Sequence, residues 1–275
     1  MIRQPAFKWH RLRRRRSDVA FDRDNAAAGA NAGASMEVDL RALADGDFLC
    51  LHDASLERET DGVGPVAGTT TAVAATLSMR RDDGGIAARR PMLFSELTAM
   101  MRTASPGSGA LMQLDFKDEV EGLSQRHFER FRTCLADCAD RFILTGGNAA
   151  GLRRLAAGLP DLKLGYDPCT DDTLPALRQS NAFESFAFEA IAAAPRAAYV
   201  YLEYPIVLAG LDAGVNLVAI FQAAGMKVDA YTLNSDHPDV EDTLLRLAAA
   251  GTDQITTDEP EVMEALISTV IRQRG

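Results

Sequence analysis

The sequence predicts an α/β fold: a (β/α)8 TIM barrel in a single domain over residues 1–275, with a small hairpin or loop insertion after the second strand. Strand-like and helix-like segments alternate along the chain, which implies a parallel sheet joined by helical crossovers. Strand segments fall at 5–10, 35–40, 47–52, 111–117, 141–145, 162–167, 198–203, 226–232 and 253–257. These nine fit an eight-stranded barrel plus one strand of an extra hairpin. A chain of 275 residues with 47% apolar content can bury one large core without splitting.

Each element has a local reason. Met36, Val38 and Leu40 alternate with Glu37 and Asp39, a period of two. Ala44-Asp45-Gly46 turns that strand into the run Phe48-Leu49-Cys50-Leu51. Residues 61–90, rich in Gly, Ala, Thr and Arg without a clear period, read as a loop or small insertion over the catalytic face. Helical patterns occupy Phe94–Arg102, Ser124–Cys138, Gly151–Gly158, Leu211–Ala224 and Val240–Ala250. Gly225 and Gly251 follow the last two, where a helix stop favours a left-handed residue. The candidate site residues are expected at the carboxyl ends of strands, the catalytic face of such a barrel.

Glu37 and Asp39 project from one strand face, and two adjacent anions repel unless a cation or a shared proton lies between them. His52, closing the next strand, adds a group that moves protons near pH 7. Asp115-Phe116-Lys117 repeats the spacing with a carboxylate and a lysine. Three carboxylates and a lysine on strands point to a hard-cation site with a phosphate beside it.

These residues carry a family resemblance. Gly33-Ala34-Ser35-Met36-Glu37-Val38-Asp39-Leu40, the turn at Asp45-Gly46 and the strand ending in His52-Asp53 resemble the glycerophosphodiester phosphodiesterases. Upstream, His10-Arg11 is similar to that family's His-Arg-Gly. Leu56-Glu57-Arg58-Glu59-Thr60-Asp61-Gly62-Val63-Gly64 resembles Leu-x-Arg-Thr-Thr-x-Gly-x-Gly. Asp115-Phe116-Lys117 stands where the family has Glu-Ile-Lys, Tyr231-Thr232-Leu233-Asn234 for Trp-Thr-Val-Asn, and Gly251–Pro260 for its closing Gly-Val-Asp-x-Ile-x-Thr-Asp-x-Pro. Departures are Leu12 for the glycine, Asp115 for glutamate, Tyr231 for tryptophan, and Val19-Ala20-Phe21-Asp22 where Pro-Glu-Asn-Thr is expected.

The resemblance implies hydrolysis of a small-molecule glycerophosphodiester to glycerol 3-phosphate and an alcohol. On that reading Glu37, Asp39 and Asp115 hold one divalent cation, Mg²⁺ or Ca²⁺. His10 and His52 are the acid/base pair, while Arg11, Lys117 and Tyr231 bind the substrate and its phosphate. The alternative is a catalytically impaired member that binds a phosphodiester or lipid headgroup. Asn234 reads equally as pocket lining or turn residue, Glu203 is a weaker candidate, and His127 and His237 read as surface residues.

A net charge of −10 argues against a nucleic-acid partner or an anionic-membrane surface; Arg13–Arg16 is a local exception that reads as a solvated loop or helix edge, with phosphate steering into the site as the alternative. No stretch approaches the roughly 20 apolar residues of a transmembrane segment, and Met1–Pro5 has no apolar core of a signal peptide. Cys50, Cys134, Cys138 and Cys169 lack the pairs or histidines of a metal site. They fit free thiols in a reducing, cytoplasmic setting.

Overall fold

The computed structural model describes residues 3–103 and 109–274; Met1 and Ile2, at the start of the N-terminal segment, lie outside them. All nine expected strands form: β1 (Ala6–Trp9), β2 (Met36–Ala42), β3 (Phe48–Cys50), β4 (Met112–Phe116), β5 (Phe142–Thr145), β6 (Lys163–Tyr166), β7 (Tyr199–Glu203), β8 (Lys227–Tyr231) and β9 (Gln254–Thr257). Their order is β1-β9-β8-β7-β6-β5-β4-β2-β3, and β1 also pairs with β2. Eight strands thus close a ring, the (β/α)8 barrel. β3 stays outside it, antiparallel to β2 with Leu40 opposite Cys50.

By contacts the chain divides into two compact units, residues 9–163 and residues 1–8 with 164–275. The first holds β2–β5 with α1 (Arg23–Ala32), α2 (Thr71–Ala74), α3 (Phe94–Thr103), α4 (Gln125–Leu135) and α5 (Ala149–Leu155). Asp22 caps α1 by accepting from the amides of Asp24 and Asn25, and Gly33 ends it at φ 67°. A cluster of aromatic rings forms beneath the hairpin. Phe94 stacks on Phe131 at 5.2 Å, and Phe48 meets the edges of Phe94, Phe116, Phe131 and His127 at 5.5–6.0 Å.

The second unit holds β7–β9 with α6 (Thr173–Ser180), α7 (Phe183–Ala193), α8 (Tyr204–Asp212), α9 (Leu217–Ala223), α10 (Val240–Ala250) and α11 (Pro260–Arg274). Lys8 Nζ lies 2.9 Å from Asp229 Oδ2 and 4.4 Å from the Tyr201 ring centroid, and Thr256 donates to the other Asp229 oxygen at 2.6 Å. A buried charge is retained here because its partner and its hydrogen bonds are buried with it.

Several boundaries differ from expectation. The expected helix 211–224 forms only as the shorter α9, because Gly214 takes φ 80° and Asn216 caps the start on the Ala219 amide. The helix expected over 124–138 ends at Leu135, and that over 151–158 runs from Ala149 to Leu155. Helices α1, α6, α7, α8 and α11 had no counterpart among the expected patterns. Residues 61–90 carry only the short α2, a single 3-10 turn at Val66–Gly68 and isolated bridges such as Thr60–Met79.

His127 corrects the surface reading. It is buried, and its Nδ1 accepts the Ser124 amide at 3.1 Å while Nε2 donates to the Leu43 carbonyl at 2.7 Å. With Phe131, Cys134 and Leu135 it forms the i, i+4, i+7, i+8 stripe of α4, so its ring ties that helix to the β2–β3 hairpin. The arginine run divides likewise: Arg15 and Arg16 are exposed, whereas Arg13 is buried and pairs with Asp82 at 2.7 Å. No single helix among the described residues is long and apolar enough to cross a membrane.

Replacing His127 by Ala should therefore cost about 2–4 kcal/mol, from a cavity and the loss of the buried hydrogen bonds to the Leu43 carbonyl and the Ser124 amide. Urea unfolding of the variant measures it, and a loss under about 0.5 kcal/mol contradicts the hairpin tie.

Candidate active site

Register brings the three carboxylates together. β2 and β4 are parallel with Glu37 opposite Gln113 and Asp39 opposite Asp115. Same-side positions on neighbouring parallel strands are in contact reach, so the period of two in β2 and one ladder step to β4 complete a triangle. Glu37, Asp39 and Asp115 each offer an oxygen within 4.8 Å of the others. Glu37 is the second residue of β2, which corrects the strand-end expectation. β2 continues beyond the ring into the hairpin, and Met36 is already level with Trp9, the last residue of β1.

Glu37 and Asp39 are only 4% and 2% exposed, so their repulsion is poorly screened by water. Burial, then Asp39 and Asp115, push the Glu37 carboxyl well above the usual carboxylate range. Burial also opposes charge on Asp39. There Lys117 and Arg11, with smaller help from His52 and His10, prevail and hold the carboxyl below its ordinary value. Lys117 Nζ lies 2.6 Å from Asp115 and 3.1 Å from Asp39. Burial disfavours its charge, but Asp115 and Asp39 raise it above the ordinary lysine value. Thr145 completes the Asp115 side, donating to Oδ1 at 3.2 Å.

The turn after β1 supplies Arg11 twice over. Its backbone amide donates to Glu37 Oε2 at 2.8 Å, and its Nε stands 3.1 Å from Asp39 Oδ2. This aim requires a left-handed backbone: Arg11 has φ 49° and Leu12 φ 61°. Leu12, where the resembling motif has glycine, is fully buried in that conformation. The Phe21 amide, donating to the Arg11 carbonyl at 2.8 Å, braces the turn. His10 precedes Arg11 in the same turn.

His52 follows β3, with Nδ1 at 2.8 Å from Asp53 Oδ1. Arg58 hydrogen bonds Asp53 and, more than burial opposes, draws its carboxyl far below the ordinary value. The backbone of His52 is gripped on both sides. Its amide donates to Glu59 Oε2 at 2.9 Å, and its carbonyl accepts from Arg41 Nε at 2.8 Å. Arg41 also donates to the Lys117 carbonyl at 2.8 Å and to Asp118 at 2.7 Å, so one guanidinium ties the His52 and Lys117 segments together. Sequence reasoning missed Arg41, Glu59 and Asp118. Arg41 is the one charge in the run Leu40-Arg41-Ala42-Leu43, whereas Glu59 and Asp118 stand among other charges and give no such signal.

Tyr231 belongs to the second compact unit, where its hydroxyl donates to Asp167 Oδ2 at 2.7 Å. Burial, then Asp167, raise that hydroxyl above its ordinary value. Asn234 is a strut, since its Oδ1 accepts from the Thr257 hydroxyl and the Asp258 amide, both at 2.9 Å. Glu203 ends β7 half-buried, and His237 packs edge-on against Tyr204 at 5.5 Å.

The donor set suits a hard divalent cation. All candidate ligand atoms are carboxylate oxygens, and the buried Asp39 Oδ2 accepts no hydrogen bond. With all three carboxylates ionised, Arg11 and Lys117 leave one negative charge uncompensated, which favours a cation at this point.

The Glycerophosphoryl diester phosphodiesterase family matches the sequence over residues 25–262, a span that begins after His10 and Arg11. Among solved structures the chain is similar to an Agrobacterium tumefaciens protein assigned as a glycerophosphoryl diester phosphodiesterase. Identity is 21% over 97% of this chain and 98% of that one, with a TM-score of 0.72. A phosphodiesterase of Oleispira antarctica, in complex with the product sn-glycerol-3-phosphate, is 20% identical, covering 96% and 97% with a TM-score of 0.65. The glycerophosphodiester phosphodiesterase of Thermotoga maritima is 17% identical, covering 96% and 99% with a TM-score of 0.64. At such identities these likenesses establish the fold. No curated protein matches the sequence.

The raised Glu37 carboxyl sets a pH dependence. Its folded value lies above its unfolded one, so its contribution to stability is complete below about pH 4.3 and is lost as pH rises through the folded value. A cation requires Glu37 ionised, so binding Mg²⁺ or Ca²⁺ should release protons, and the gain in Tm from the ion should grow as pH rises from about 4.3 towards the raised folded value. Isothermal titration in two buffers of different ionisation enthalpy measures the release. Binding heats independent of buffer contradict it.

Proposed function

Because the chain belongs to the glycerophosphoryl diester phosphodiesterase family, a family of phosphoric diester hydrolases, we propose that it hydrolyses glycerophosphodiesters to glycerol 3-phosphate and an alcohol. The observation that carries the reading is the triangle of Glu37, Asp39 and Asp115 within 4.8 Å, flanked by Arg11 and Lys117. The three carboxylates hold one divalent cation, Mg²⁺ or Ca²⁺. When bound, that cation supplies Lewis-acid stabilisation of charge on a phosphoryl oxygen. The product in the Oleispira antarctica complex, sn-glycerol-3-phosphate, supports the substrate class.

The chain's own groups do the remaining work. Arg11 and Lys117 present donors to the anionic phosphate oxygens. Cation, carboxylates and these two side chains together sum to one positive charge, which matches a phosphodiester monoanion. His52 donates Nδ1–H to Asp53, so Nε2 carries the lone pair that accepts or returns a proton. His10 is its partner in proton transfer, one group activating the nucleophilic hydroxyl or water and the other protonating the leaving oxygen. Tyr231, which stands for the family's tryptophan, is the further substrate-binding residue. The span of the family match supports reading residues 1–275 as one functional domain, and four free cysteines support a reducing, cytoplasmic setting.

A second reading, an impaired member that binds a phosphodiester or lipid headgroup, draws support from Leu12 at φ 61° in place of glycine. Release of glycerol 3-phosphate from a panel of glycerophosphodiesters, with and without divalent ions, separates the two. We expect metal-dependent release, and a fall of roughly 10²–10⁴-fold in kcat for His10→Ala and for His52→Ala. Ion binding without any release from the wild type replaces hydrolysis with the binding role.

A further inference from the structure

Glu59 is a buried carboxylate to which the mechanism above gives no part. One oxygen, Oε2, accepts the backbone amides of both His52 and Asp53 at 2.9 Å each. The other, Oε1, faces two guanidinium groups, Arg11 and Arg58, each at 3.8 Å. A single side chain thus joins the loop that carries the His52–Asp53 pair to the arginine that faces Asp39. Glu59 is itself held from the insertion, where Arg80 donates its amide to the Glu59 carbonyl at 2.7 Å and its Nε to the Thr60 carbonyl at 2.6 Å. The resembling motif has an uncharged threonine at this position.

We propose that Glu59 is a positioning residue that fixes His52 and Arg11 for the reaction, a role resting on the phosphodiesterase reading above. Two hydrogen bonds on one buried oxygen tie the His52 and Asp53 amides to a single side chain. With Arg41 on the His52 carbonyl, the residue is held through both of its peptide groups. Side-chain aim follows backbone placement, and proton transfer is sensitive to displacements well under an ångström. Toward Arg11 the Glu59 charge adds a second anion beside Asp39, so the guanidinium lies between two carboxylates and its fork is set in one orientation.

The test compares Glu59→Ala and Glu59→Gln, with amide hydrogen exchange at His52 and Asp53 as a readout that needs no turnover. Glu59→Ala should lower kcat about 10- to 100-fold. It should also speed exchange at both amides by at least about ten-fold. Glu59→Gln keeps a carbonyl oxygen for both amides while losing the charge. It should return exchange to within about three-fold of wild type and recover a large part of kcat. If Glu59→Ala does not fold, Glu59→Thr replaces it. Unchanged exchange in the Ala or Thr variant overturns the proposal. So does a kcat within about two-fold of wild type, or a Glu59→Gln variant as slow as Glu59→Ala. An inactive wild type removes the phosphodiesterase reading alone, and exchange at the two amides still decides whether Glu59 holds the loop.

Discussion

Three carboxylates held within 4.8 Å of one another, two of them almost wholly buried, are the constraint around which the first compact unit is built. At such separations and in a low dielectric, mutual repulsion between like charges costs several kcal/mol unless cations answer it. Lys117 answers from the residue just past the strand of Asp115, bridging Asp115 to Asp39. Arg11 answers from the turn after β1, with an amide on Glu37 and a guanidinium on Asp39. The split that results, Glu37 drawn toward its neutral form and Asp39 toward its ionised form, follows from where those two cations stand. Glu37 has a backbone amide and two anionic neighbours; Asp39 has both cations.

The surrounding structure reads as support for that arrangement. The left-handed turn at Arg11 and Leu12 is unfavourable by about 1–3 kcal/mol for each non-glycine residue, and it persists because it aims the Arg11 amide at Glu37. The β2–β3 hairpin carries His52 to the same region. It is fastened twice, by the ring of His127 on the Leu43 carbonyl and by Arg41 between the His52 and Lys117 carbonyls. Such fastening suits the proton-transfer role proposed for His52, because a loop left to its own entropy spreads its side chains over many orientations.

Relatives at 17–21% identity keep the barrel over nearly the whole chain, which is expected when packing tolerates exchange of one apolar side chain for another. What a barrel does not tolerate so freely is a change among groups whose charges are interdependent. Asp115 in place of glutamate is accommodated because Lys117 and Thr145 hold its shorter arm. Glu59 in place of threonine adds an anion, and it lies against Arg11 and Arg58, the two cations able to receive it.

The strands were legible in the sequence because a period of two with Val, Leu, Ile and Met is a local signal, and all nine appeared within a few residues of their expected places. The same period put Glu37 and Asp39 on one side of β2, and the Asp115-x-Lys117 spacing placed its own ion pair. Alanine-rich α1 and the short apolar helices α7 and α8 carried no comparable stripe, so they were missed. Tertiary structure alone decided the rest. The register of β2 against β4 set Asp39 beside Asp115, and no local pattern encodes which rung of one strand meets which rung of another. His127 looked like a surface residue in a polar helix until the hairpin carbonyl of Leu43 came to meet it, 84 positions away in sequence. Glu59 looked like an ordinary charge between Arg58 and Thr60. Only folding gathers two amides and two guanidinium groups around it, because hydrogen bonds and charge pairing act through space, while a sequence records only order along the chain.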